Sequence, residues 1–340
     1  MFSIIILFNE YKKESITRKF FSKLSSSIKT QKETEIIFIV ENDYYIIDYI
    51  QEFQNDNPNT IVKFIYTNKR ITLNKMLEKI NKLITNDYFF FLSYPSEIAP
   101  GFFNNIIKII DNNSPDIIEF KPSLTNFIRW NPNNRLDSSK FNKLLKLANN
   151  NDVVAFTFPF IFNKIFSSTL LNRTIKHYLR KTDSDNSNIF FTYLTYLMFL
   201  KANSYWYIPN QLITFEVNEI YILNFNSIFT QWDIILEKFN IEAKYLEEIN
   251  YAKFYYLKII LCSLYSLKNP KIKKIMNKNN SNDLNQKKYQ DKLDQIAYSE
   301  FKDFYLKNKY MVLNNAPEIS LLKQNISISK WSKLLKELEN

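Results

Sequence analysis

Tyr88-Phe89-Phe90-Phe91-Leu92-Ser93-Tyr94-Pro95-Ser96-Glu97 passes from five consecutive apolar residues straight into a polar turn. A short unbroken apolar run reads as a strand covered on both faces, and the turn marks its end. Immediately before it, Thr72–Ile84 repeats Leu73, Met76, Leu77, Ile80, Leu83 and Ile84 at helical spacing. Further back lie an apolar strand at Ile61–Tyr66, a helix at Tyr44–Phe53 and a strand at Glu35–Val40. A helix over about residues 12–29 carries Ile16, Phe20, Phe21, Leu24 and Ile28, and the opening strand is Ser3–Phe8. Beyond the turn, Phe102–Ile110 reads as a helix and Asp116–Phe120 as a fifth strand. Strands alternating with helices predict an α/β fold with a mostly parallel sheet and helices on both faces. Ligands of such sheets bind beyond the carboxyl ends of the strands. Here those ends are Phe8-Asn9-Glu10, Glu41-Asn42-Asp43, Thr67-Asn68-Lys69-Arg70 and Ser93–Glu97, all polar.

Past residue 121 the pattern loosens. Residues 127–137, rich in Asn and Pro, read as a loop, and Val153–Phe158 reads as a strand. Asn163–Leu171 and Asn188–Lys201 read as helices, followed by short strands at Tyr205–Ile208 and Leu212–Val217. After Glu219 the chain is expected to be mainly helical, interrupted by a polar, Asn/Lys-rich linker over residues 277–290. Ser329–Leu338 closes with Trp331, Leu334, Leu335 and Leu338 on one helical face. This predicts an α/β domain over residues 1–217 and a helical region over residues 218–340.

Composition narrows the chemistry. The 340 residues are 46% hydrophobic and 23% charged, enough apolar material for an α/β core plus an appendage. Gly101 is the only glycine, so glycine-built phosphate cradles (GxGxxG, GxxxxGK[ST]) are excluded. Backbone positions with positive φ are expected to fall to Asn or Asp instead. The lysine-rich balance, +11 overall, is spread along the chain in the manner of an AT-rich codon bias. Its densest stretch, Lys268–Lys292, holds eight lysines against Asp283 and Asp291. Cys262 and His177 are each alone, which excludes an intrachain disulfide and multi-histidine metal sites. No run is long enough to span a bilayer, and Phe2–Phe8 lacks the basic flank of a secretory leader. A cytoplasmic, reducing location is therefore expected, with peripheral attachment at the inner membrane face as an option.

The order of the pieces resembles the family 2 glycosyltransferases of the GT-A fold, over about residues 2–217. Ile6-Leu7-Phe8-Asn9-Glu10 stands where the family has Pro-Val-Tyr-Asn-Glu, and Val40-Glu41-Asn42-Asp43 where it has Val-Asp-Asp-Gly-Ser. Asn68-Lys69-Arg70 and Asn74-Lys75-Met76 occupy the places of Asn-x-Gly and Ala-Arg-Asn. Phe162-Asn163-Lys164-Ile165-Phe166 looks like the family's Asn-Lys-Leu-Tyr segment, and Asp116–Glu119 matches the strand before it. The resemblance implies nucleotide contacts from Asn9, Glu10, Glu41, Asn42, Arg70 and Lys75. It also implies a nucleotide sugar as donor, a UDP-sugar above all, and a glycolipid or surface polysaccharide as acceptor.

Two motifs depart from the family. Its Asp-x-Asp-Asp, which holds Mg²⁺ or Mn²⁺ against the departing diphosphate, reads Ser93-Tyr94-Pro95-Ser96 here. Its Glu-Asp pair, which supplies the base for the acceptor hydroxyl, reads Ser187-Asn188. Serine and proline suit a hard cation poorly, and an amide takes no proton. The resemblance thus leaves no certain metal. Glu97 is the one substitute ligand at that mouth, while Arg70 or Lys75 can neutralise a diphosphate without a metal. Asp183-Ser184-Asp185 precedes the helix where the base belongs, so Asp183 and Asp185 are candidate bases; the same residues also read as a helix cap or solvated loop. Three functions compete: an active transferase, a catalytically degenerate partner of an active glycosyltransferase, and a basic protein bound to an anionic membrane or to nucleic acid. Nucleic acid is the weakest, because the lysines have no arranged aromatic or Arg platform.

Overall fold

The structure is a computed structural model that describes residues 2–8, 13–29, 34–41, 44–68, 72–126, 130–178, 192–217, 225–256 and 308–312. Two compact units are distinguished. The first comprises Met1–Ser123, Asp137–Asn150 and Phe160–Glu216; the second comprises Leu124–Leu136, Asn151–Pro159 and Val217–Asn340.

In the first unit the alternation appears as β1 (Phe2–Phe8), α1 (Glu14–Ile28), β2 (Glu35–Glu41), α2 (Tyr45–Asp56), β3 (Ile61–Thr67), α3 (Leu73–Leu83) and β4 (Tyr88–Ser93). Then follow β5 (Glu97–Ile98), α4 (Phe102–Asn113) and β6 (Ile117–Asn126). β1, β2, β3 and β4 are parallel, in the order β3-β2-β1-β4. Their unbroken apolar runs are buried because helices cover both faces. Ile4, Ile6, Phe8, Phe38, Val40, Phe90 and Leu92 face Phe20, Phe21 and Leu24 of α1, Ile50 and Phe53 of α2, and Phe102 and Ile106 of α4. Each such aromatic or aliphatic side chain contributes about 1.5–3 kcal/mol of burial. The crossover through α3 returns the chain to the other side of β1, and α3 turns Met76, Leu77 and Ile80 inward there.

The other half of the sheet is antiparallel. β7 (Leu144–Lys146), β8 (Lys164–Ser167) and β9 (Ser204–Val217) complete the order β3-β2-β1-β4-β8-β6-β9-β5, with β7 pairing β9. β8 runs antiparallel to both β4 and β6, so the fifth strand lies one place away from β4. The helix expected from Asn163 therefore begins later: residues 164–167 form β8 and the helix is α6 (Ser168–Tyr178). Four buried residues running straight into a helix offer too few positions for periodicity to separate the two. The two short strands expected around Pro209 are one continuous strand, β9. The remaining helix, α7 (Thr192–Lys201), packs on α6, which also meets α3.

In the second unit Val153–Phe158, expected as a strand, forms α5 (Asp152–Phe156) instead. Its β-branched pair suggested extension, but Asp152 favours a helical first turn and the segment packs on α9 (Leu246–Tyr255). The Arg135 guanidinium lies 3.3 Å from the Tyr255 ring centre and donates to the carbonyls of Thr157 and Ala155 at 3.0 and 3.3 Å. α8 (Phe225–Glu242) and α10 (Lys309–Val312) agree with a helical region after Glu219. The buried Glu248 carboxylate accepts from Lys309 Nζ at 2.7 Å and Tyr310 OH at 2.8 Å, holding α10 to α9. The linker over residues 277–290 and the Ser329–Leu338 helix lie outside the described residues.

Positive φ is not reserved for Asn and Asp. Gly101 (φ 75°) precedes α4, and the other described cases are Ser114, Asn142, Ala243 and Tyr245. Ser114 and Ala243 follow the last residues of α4 and α8, where a left-handed residue ends a helix whatever its type.

Candidate functional site

The register of the parallel strands brings their carboxyl ends to one edge. Leu7 lies opposite Ser93, Phe8 opposite Val40, and Glu41 opposite Thr67. The turn that follows β4 is anchored from one side. Tyr94, joined to Pro95 by a cis peptide bond, packs its ring 4.6 Å from Phe8 and 5.1 Å from Phe20. Its hydroxyl lies 2.6 Å from Thr17 Oγ1 on α1. The tyrosine is thereby committed to the core, and the residues on either side of it form the edge.

Ser93 precedes the Tyr94-Pro95 step and Ser96 follows it. Ser93 and Ser96 are each 5% exposed, Thr67 at the end of β3 is 9% exposed, and none of the three hydroxyls has a hydrogen-bond partner within the described protein. A buried polar group left unpaired costs about 1–3 kcal/mol, and native proteins pair nearly all of them. Two of these hydroxyls end strands β3 and β4 and the third lies in the turn after β4, so all three fall on the carboxyl side of the sheet.

Of the expected site residues, Glu41 ends β2, half-buried, and Lys75 lies exposed in the first turn of α3, whose Thr72 cap accepts from the Lys75 backbone N–H at 3.4 Å. Both therefore lie at the carboxyl edge. Glu97 is half-exposed, and its carboxylate is engaged by α1: Lys23 donates a short hydrogen bond and Lys19 lies 3.7 Å away. The hydrogen bond from Lys23 holds the Glu97 carboxyl below the usual glutamate range. Asn9, Glu10, Asn42, Arg70, Asp183, Asp185 and the Ser187-Asn188 pair lie outside the described residues. Tyr44, just past β2, and Tyr66, next to last in β3, add a ring pair 5.1 Å apart beside the same edge.

One polar group escaped the sequence reading. Glu119 of β6 and Lys164 of β8 are fully buried, with Lys164 Nζ 3.4 Å from Glu119 Oε1. Lys164 also donates to Phe160 O at 2.8 Å and Asn163 Oδ1 at 2.9 Å, and Tyr205 OH donates to Glu119 Oε2 at 3.0 Å. The signal was present as charges inside two apolar runs. These bonds fix the loop that enters β8 at the carboxyl edge, one strand over from Ser93.

A divalent cation does not fit the described β4 turn. The β4 turn offers hydroxyls, Glu97 is already neutralised by lysines, and among the described residues no group of three or more His, Cys, Asp or Glu stands together.

No protein-family model matches the sequence, and no curated protein matches it. Solved structures do. S. aureus TarS residues 1–349 shares 14% identity at a TM-score of 0.55, over 78% of this chain and 74% of that one. The same TarS fragment in complex with UDP gives 15% identity and a TM-score of 0.55, over 78% and 75% of the two chains. The mannosyltransferase PcManGT from Pyrobaculum calidifontis, in complex with GDP-Man and Mn²⁺, shares 9% identity at a TM-score of 0.50 over 99% of this chain and 84% of that one. The fold is that of the GT-A glycosyltransferases. Among the described residues, no helix is long and apolar enough to cross a membrane.

Proposed function

We propose that the protein is a glycosyltransferase-like protein that binds a nucleotide sugar, a UDP-sugar above all, at the carboxyl edge of β1–β4. The observation that carries this reading is the set of partnerless buried hydroxyls, Thr67, Ser93 and Ser96, at the edge where an α/β sheet takes its ligand. The GT-A neighbours, one with UDP and one with GDP-Man, support it. In the transfer, an acceptor hydroxyl oxygen of a glycolipid or surface polysaccharide bonds to the sugar's anomeric carbon. The bond from that carbon to the diphosphate breaks, the nucleoside diphosphate leaves, and the acceptor proton passes to a carboxylate. Asp183 or Asp185 takes that proton in this reading. Calorimetric titration with UDP, GDP and CDP tests binding, and release of UDP from UDP-sugars in the presence of lipid-linked acceptors tests transfer. Failure of all three nucleotides to bind removes the proposal.

A second reading has its own support. Serines in place of the family's acids, with Asn188 in place of the base, suit a protein that keeps the fold and donor site but serves as partner to an active glycosyltransferase. Nucleotide binding without any UDP release would select it. The lysines of residues 268–292 suit attachment to an anionic inner membrane face, which co-sedimentation with phosphatidylglycerol vesicles at low and high salt would test.

A further inference from the structure

We infer that the Ser93 and Ser96 hydroxyls bind the nucleotide's diphosphate directly, so that this site takes its ligand without a divalent cation. The inference rests on the nucleotide-sugar reading above and says how that site handles charge. Both hydroxyls are more than nine-tenths buried and lack a partner, and they bracket a Tyr94-Pro95 step held from the α1 side by Phe8, Phe20 and Thr17. The turn is thus positioned in advance, with two hydroxyls whose needs are unmet.

A hydroxyl can serve either partner, but the surroundings select between them. A hard cation prefers carboxylates among its oxygen ligands, and Glu97, the nearest in sequence, is held by Lys23 and Lys19. Phosphate oxygens accept hydrogen bonds, and bonds to an ionised acceptor are about twice as strong as neutral ones. The balancing positive charge comes from the opposite side of the edge, where Lys75 lies exposed in the first turn of α3. Helix N-termini favour anions in the same sense. Thr67, at the end of β3 on that side, supplies a third unsatisfied hydroxyl.

The test is calorimetric titration of UDP into the full chain in excess EDTA and again with Mn²⁺, for wild type, Ser93→Ala, Ser96→Ala and the double variant. Equal UDP affinity in EDTA and Mn²⁺ is expected, with each alanine weakening it about tenfold, the size of one charge-assisted hydrogen bond. The alanine variants remove groups that have no protein partner, so their melting temperatures should match or exceed wild type, which separates lost binding from lost folding. Ser93→Asp/Ser96→Asp should weaken UDP in EDTA and recover it on adding Mn²⁺. UDP binding that requires Mn²⁺ in the wild type would overturn the inference and leave the nucleotide-sugar reading standing. Metal-free binding unaffected by both alanines would also overturn it, marking the hydroxyls as sites for water alone. No binding of UDP, GDP or CDP under either condition would remove both readings.

Discussion

The two edges of the same four strands treat buried polar groups in opposite ways. At the amino edge, Glu35 begins β2 with its side chain 0% exposed and is satisfied on every side. Ser3 Oγ donates to it at 2.6 Å, Thr85 donates from its hydroxyl at 2.6 Å and its N–H at 3.2 Å, and Lys63 closes a short ion pair. At the carboxyl edge, Thr67, Ser93 and Ser96 are buried and open. At the amino edge the chain itself supplies each partner; at the carboxyl edge it leaves these three hydroxyls unpaired. The buried polar groups of the sheet are thus fastened at one end and open at the other.

The contrast breaks first at Glu35. Glu35→Ala leaves the partly buried Lys63 without its counter-charge, and removing one member of such a pair costs about 3–5 kcal/mol, measurable by urea denaturation. The pair also has a pH signature. Burial pushes the Glu35 carboxyl up, but the bonds from Lys63, Ser3 and Thr85 outweigh it and hold the carboxyl below the usual glutamate range. A depressed carboxyl contributes stability above its unfolded value, and that stability is lost as pH falls through the folded value. Wild type should therefore lose stability below about pH 4 more steeply than Glu35→Gln. A variant curve parallel to wild type would show the amino-edge network contributing little.

Next in size is the interior pair. Lys164→Met leaves the buried Glu119 charge without its cation and should destabilise by about 3 kcal/mol, with part of that recovered in Lys164→Met/Glu119→Gln. No recovery in the double variant would mean that the lysine acts through Phe160 and Asn163 and not through the carboxylate.

At the open edge little change is expected. Thr67→Val should change stability by no more than about 0.5 kcal/mol in either direction, because no protein partner is lost. A loss above about 2 kcal/mol would show that the hydroxyl is structurally satisfied. Also small is Glu97→Gln, whose half-exposed pairs with Lys19 and Lys23 are worth at most about 1 kcal/mol and should weaken with salt.

The sequence carried the parallel half well because each of its strands is a continuous apolar run and each helix has a clear stripe, as in Tyr88–Leu92 and Thr72–Ile84. It carried the antiparallel half poorly. Lys164–Ser167 is only four residues, and the burial of its lysine depends on Glu119, 45 positions earlier. Val153–Phe158 misread for the related reason that packing against α9 decides its form. The edge itself was legible as a row of polar strand ends. Which hydroxyls there lack partners was not, because that depends on Tyr94 turning away to Thr17, a contact between residues 77 positions apart.

The insertion of β8 between β4 and β6 also sets an order of assembly during synthesis. Once Ser93 has left the ribosome, β1 to β4 are all present and their pairings span neighbouring segments. β6 emerges next but has no place beside β4 until Lys164–Ser167 has followed, since that strand separates them. For the time it takes to make those intervening residues, β4 presents an unpaired, aromatic-rich border to solvent or to a chaperone. Pairings that must wait for distant sequence are slow, and exposed strand borders are where nascent chains aggregate.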